Sequence, residues 1–149
     1  MTAVILSWFH FLSIMGLAAA LVAQHLMFMP RPDAATAKRL TRVDLVYGVS
    51  ALAVLLSGLG RVFYSGKGAA FYLANGVFHA KVGLFVVAAL ISIYPTIKLM
   101  AWRKALAGGG TPGMSDADGR RVLMAIRLQL VLIVVLPLLG VLMARGIGL

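Results

Sequence analysis

Four apolar stretches, each long enough to cross a bilayer, decide what this chain of 149 residues can become. A hydrocarbon core of about 30 Å takes roughly 20 consecutive apolar residues as a helix. Inside it, every backbone N–H and C=O has to be bonded within the protein, which leaves helices as the economical solution. The stretches over residues 2–29, 43–64, 69–102 and 116–144 meet that length. The expected architecture is therefore all-α: one integral membrane domain built as a four-transmembrane-helix bundle. Hydrophobic residues make up 62% of the chain. Soluble domains hold about 45–50%, so the composition speaks for a membrane protein rather than a globular enzyme.

The connections carry the punctuation such a bundle needs. No charge precedes Arg31, and neither a basic leader nor a small-residue cleavage site marks the first stretch as a signal peptide. It reads as a retained helix, stopped by Pro30 and Pro32. Residues 31–42 read as a polar linker, and the second helix is entered through Asp44 in its first turn. Ser65-Gly66-Lys67-Gly68 reads as a tight connection. The third stretch is longer than one bilayer requires and ends among Lys98, Arg103 and Lys104. A glycine-rich linker over 108–113 follows. Ser115, three residues before Asp118, forms a capping pair that opens the fourth helix, and Pro137 predicts a kink within it.

Charge sets the orientation and prunes the functions. The net charge is +10, with four aspartates and no glutamate. Ten of the 14 lysines and arginines fall in or beside the first and third connections. Arg61, Lys67 and Arg145 lie on the other side, and Lys81 lies within an apolar stretch. By the positive-inside rule the first and third connections face the cytoplasm. Both termini then lie on the outer side of a membrane that the chain crosses several times. Lipid is the first partner this implies. No basic stripe with interleaved aromatics suggests nucleic acid. No cysteine is present, which excludes disulfides and thiolate sites. Paired carboxylates, a serine–histidine–aspartate set and a phosphate-cradling loop are missing too. No acid is expected inside the membrane, so hydrolysis and carboxylate-coupled pumping give way to redox or cofactor chemistry.

Few residues are left to carry that chemistry. His10 and His79 both fall roughly 13–15 Å from the outer face, at about 1.5 Å per residue of helix. Two imidazoles at matched depth on different helices suit the two faces of a haem iron, or copper or zinc. The bland alternative for each is a packed histidine bonded to a neighbouring helix. Ser13, Leu17, Ala20 and Gln24 share the His10 face. Lys81 lies about 200° round from His79, so the two point to different sides of their helix. It suits an anion such as a porphyrin propionate, or else it snorkels toward the surface. Tyr47, Ser50, Val54, Ser57, Gly58 and Arg61 form one stripe on the second helix. Arg61 at its end suits a ligand carboxylate or a lipid phosphate. Arg127 reads as a snorkelling residue. His25, Met27 and Met29 offer a soft-metal set for Cu(I), although helical spacing turns Met27 away from His25.

Ser7-Trp8-Phe9-His10-Phe11-Leu12-Ser13-Ile14-Met15-Gly16, together with Phe78-His79-Ala80-Lys81-Val82-Gly83-Leu84, resembles the HemJ-type protoporphyrinogen oxidases and, more widely, the CopD-like haem-binding membrane bundles. The chain as a whole is also similar to small bacterial inner-membrane proteins of unassigned role. The resemblance implies haem b as cofactor, with His10 as the ligand and Lys81 as an essential lysine. It further implies a porphyrin substrate and a quinone or redox partner. On this basis the candidate catalytic residues are Lys81 and Arg61, and the candidate haem residues are His10, His79, Lys81 and Arg61. A copper-binding or copper-transporting protein is the alternative, and a cofactor-free accessory subunit is another. A homo-oligomer is compatible with each.

Overall fold

The computed structural model describes residues 1–64 and 67–148. These hold five α-helices and no strand: α1 (Thr2–Met27), α2 (Ala34–Tyr64), α3 (Gly68–Ala74), α4 (Gly76–Ala107) and α5 (Asp116–Ala144). All but the short α3 are long and apolar enough to cross a membrane. Ser65 and Gly66, half of the expected tight connection, lie outside the described residues.

The helices are arranged with much of their polarity inward. On α1 the buried residues are His10, Ser13, Leu17, Ala20, Leu21 and Gln24, while Val4, Ile5, Trp8 and Met15 face out. On α2, Asp44, Tyr47 and Ser57 are buried, and Leu45, Val49, Leu52 and Leu56 are exposed. In water this pattern would be unstable. In lipid it is the favourable one, because outward apolar side chains meet hydrocarbon and inward polar groups bond across helices. Small residues let α1 and α2 approach closely. A methyl group at Gly58 would stand 3.3 Å from His10 Cε1, and one at Gly60 would stand 3.2 Å from Leu6 Cδ2.

The second helix begins at Ala34 rather than near residue 43. Asp33 starts it: its carboxylate accepts from the Thr36 N–H at 2.8 Å and its carbonyl from the Ala37 N–H at 2.9 Å. The bonds from Thr36 hold the Asp33 carboxyl below its ordinary range. Ala37 and Leu40 then pack against Leu99 and Trp102 of α4, so the helix runs past the apolar stretch because it has a partner there. The polar linker expected over 31–42 is thus mostly helix. Asp44 moves with this change. It lies well inside α2, buried, and its Oδ1 accepts from Gln24 Nε2 at 3.0 Å and Thr96 Oγ1 at 3.1 Å. The interior holds an acid after all.

The third segment is two helices, broken at Asn75. This residue is wholly buried and extended (φ −92°, ψ 116°). Its side-chain oxygen accepts from the Val77 and Phe78 N–H groups, capping α4, and its Nδ2 donates to the Ile147 carbonyl. Gly76 N–H donates to the Gly148 carbonyl at 2.8 Å, which ties the C-terminal residues to the break. The Asn75-Gly76 pair is the turn signal that the apolar run conceals.

α5 opens at Asp116, where Ser115 Oγ accepts from the Asp118 N–H at 3.1 Å. Asp118 also binds Lys98 Nζ at 2.9 Å and accepts from the Tyr94 hydroxyl at 2.8 Å, joining α4 to α5. Arg31 pairs with Asp116 at 3.0 Å. Gly119 closes this end: a methyl group there would meet Pro30 Cγ at 2.7 Å.

Candidate functional site

Toward the end that carries both termini, α1, α2, α4 and α5 part around a cavity of about 180 Å³. Its walls are mainly aliphatic. The polar groups in its lining are His10, Arg61, Tyr72 and Lys81. Leu55 and Leu59 of α2 and Val82 and Val86 of α4 also line it, and all four are exposed. The lining therefore reaches the apolar outer surface of the bundle at α2 and α4.

His10 is buried, and its Nδ1 lies 2.9 Å from Ser57 Oγ. The Ser57 hydroxyl has a single hydrogen, and the carbonyls of Ala53 and Val54, one turn back on α2, are there to accept it. With that hydrogen so used, Ser57 Oγ can accept from Nδ1, in the tautomer that leaves the lone pair on Nε2. Ligating histidines are set up in this way, with the distal nitrogen donating to a fixed acceptor.

Lys81 and Arg61 bring positive charge to the same cavity. Lys81 reaches toward α5, where a methyl group at Gly140 would stand 3.2 Å from its Nζ. The Arg61 guanidinium lies 5.7 Å from the centre of the Phe11 ring, and its Nε is buried with no hydrogen-bond partner among the described residues. No acidic side chain among the described residues forms an ion pair with either cation. The site thus combines two cations and an imidazole with apolar walls. The matching family model covers residues 2–148, and its description is "Predicted membrane protein (DUF2214)". The chain belongs to that family. No curated protein and no solved structure matches it. The DUF2214 assignment carries membrane character; it does not carry membership of the HemJ-type or CopD-like haem proteins.

Of the four candidate residues, this DUF2214 chain brings His10, Arg61 and Lys81 to one cavity and leaves His79 outside it. His79 stands in the first turn of α4, is exposed, and its Nε2 lies 2.9 Å from the Leu73 carbonyl. It closes the end of α3. The matched depth of the two histidines assumed one unbroken helix from residue 69, and the break at Asn75 removes that assumption. The angular argument fares better: His79 and Lys81 do point apart, and Lys81 is the one that faces the cavity.

The soft-metal set is dispersed. Met27 packs against the cluster of Ala37, Leu40, Leu99 and Trp102, while Met29 is exposed. Among the described residues, no three histidine, cysteine or acidic side chains gather as a metal site. A haem needs fewer protein ligands than such a site, and the cavity's donors fit one: an imidazole with a free lone pair and two cations for propionates. Pockets for molecules of that order run about 300–1,000 Å³. A macrocycle would need the outer part of the lining at α2 and α4 as well as the enclosed space. Ser57 and Tyr72 are the site residues that sequence reasoning underrated. Ser57 stood in the predicted stripe, one turn before Arg61, without a role assigned to it.

Proposed function

We propose that the chain is a bacterial inner-membrane redox protein that holds haem b in this cavity, with both termini on the outer side. The observation that carries the proposal is the 2.9 Å contact of His10 Nδ1 with Ser57 Oγ in a cavity that two cations also line; with Ser57 as the acceptor, Nε2 keeps a lone pair for a metal. His10 would be the axial ligand, and Ser57 would hold its ring in register. Arg61 and Lys81 would pair with the propionates, where the surrounding low dielectric strengthens each charge-assisted bond. Bound there, haem b would supply one-electron chemistry. The lining shared with the outer surface at α2 and α4 would admit amphiphiles from the bilayer.

The motif resemblance extends the proposal to an activity. It suggests oxidation of protoporphyrinogen IX, with Lys81 and Arg61 docking the carboxylates and a quinone or redox protein receiving the electrons. The cations bear on this because porphyrinogens and haem share the same carboxylate pair.

Titrating haemin into the purified full chain tests the binding. A Soret band that saturates at a fixed stoichiometry is expected; its absence would end the haem proposal. Orientation is separable. The chain has no cysteine, so Gly109→Cys and Ile147→Cys can each be labelled in intact cells with a membrane-impermeant maleimide. Labelling at 147 and protection at 109 are expected, and the reverse pattern would invert the topology.

A further inference from the structure

A second cavity, of about 50 Å³, lies beside the first and toward the basic end. Its lining is apolar except for Tyr47, Ser92 and Gln129. Gln129 is 3% exposed, and its Oε1 has no hydrogen-bond partner among the described residues. A buried amide oxygen left unpaired costs on the order of 1–3 kcal/mol, which a water in the cavity would remove. A water needs roughly 10–15 Å³ and two to four polar partners, and this cavity has the room and the groups. Tyr47 and Ser92 both line it, and Ser92 Oγ donates to the Ala89 carbonyl.

Asp44 lies outside this lining, three residues before Tyr47 on α2, where i and i+3 share a face. Its neighbours are neutral. α1 presents Gln24 and α4 presents Thr96, while Lys98 of α4 is already held by Asp118 of α5. Toward the other end, the two cavities share Leu17, Phe85, Ile133 and Leu136 in their linings. An apolar layer one side chain thick separates them.

We propose that the bundle contains a proton path: Asp44, the hydroxyls and water of the second cavity, and then the cationic cavity, gated by the layer around Phe85. At each step one O–H bond breaks as another forms. A proton leaves the Asp44 carboxyl for a water or the Tyr47 hydroxyl, which releases its own toward Ser92 or the next water. No electrons move and no bond to carbon changes. The path does not depend on which molecule fills the first cavity.

Proton flux into liposomes carrying the full chain, read with a trapped pH dye under a potassium diffusion potential, tests it. Phe85→Ala is expected to raise the flux several-fold over the unaltered chain. Adding Asp44→Asn to Phe85→Ala is expected to return it to the starting level. Flux that Phe85→Ala fails to raise, or that Asp44→Asn leaves high, would overturn the path. Hydroxyl-radical labelling of the unaltered chain gives an answer even if Phe85→Ala does not fold. Oxidation at Tyr47 that falls in Gln129→Leu is expected, and an unlabelled Tyr47 would show that the second cavity is dry.

Discussion

The two ends of the bundle handle charge in opposite ways. At the basic end the buried acid Asp44 has two donors, Lys98 has Asp118, and Arg31 has Asp116. Trp102, Leu99, Leu40 and Ala37 fill the space between α2 and α4. At the end with the termini, Arg61 and Lys81 line a cavity, and no acidic side chain among the described residues pairs with either. Placing charge at membrane depth is costly, and it persists where a ligand or pathway uses it. One end thus pairs its charges within the bundle, and the other presents the two cations that the haem proposal gives to the propionates.

The sharpest way to break this contrast is at His10. In His10→Ala the haemin-dependent Soret band should vanish while the helical circular dichroism stays. Ser57→Ala should weaken haemin binding by roughly 10–100-fold, the usual effect of removing the group that orients a ligating histidine. Neutralising Arg61 or Lys81 to glutamine should each cost about 10–100-fold in haemin affinity, in line with charge-assisted hydrogen bonds. The dimethyl ester of the porphyrin, which lacks the carboxylates, should bind both variants as it binds the unaltered chain.

Changes at the basic end should leave the spectrum alone and lower stability. Gly119→Ala forces a methyl group into Pro30 and should cost about 1–3 kcal/mol in detergent unfolding, with haemin affinity unchanged. Lys98→Met should give the smallest effect, a shift in melting temperature that shrinks as salt is added, because the Lys98–Asp118 pair is partly open to solvent. A Soret change from either variant would erase the distinction between the ends.

The legibility of the chain follows the same divide. Four long apolar helices, the stripe on α1 and the Ser115–Asp118 start of α5 are local patterns, and the structure has them, with α2 and α4 at other bounds than expected. What escaped was set by contacts between distant segments. α2 extends back to Ala34 because Leu99 and Trp102 await it, and Asp44 is buried for that reason. Asn75 breaks the third segment with a side chain that serves both α4 and the C-terminal residues. In the site, the stripe ending at Arg61 and the opposed directions of His79 and Lys81 were readable from helical angles. The supposed pairing of His10 with His79 was not sound, because depth counted along a sequence fails at a break.

The central claim is that His10, and not His79, is the haem ligand of the cavity. Reduced-minus-oxidised spectra of haemin-loaded full-length protein, compared between His10→Ala and His79→Ala, test it most directly. The haem b signal should be lost in His10→Ala and kept in His79→Ala. A signal that survives His10→Ala, or that is lost only in His79→Ala, would contradict it.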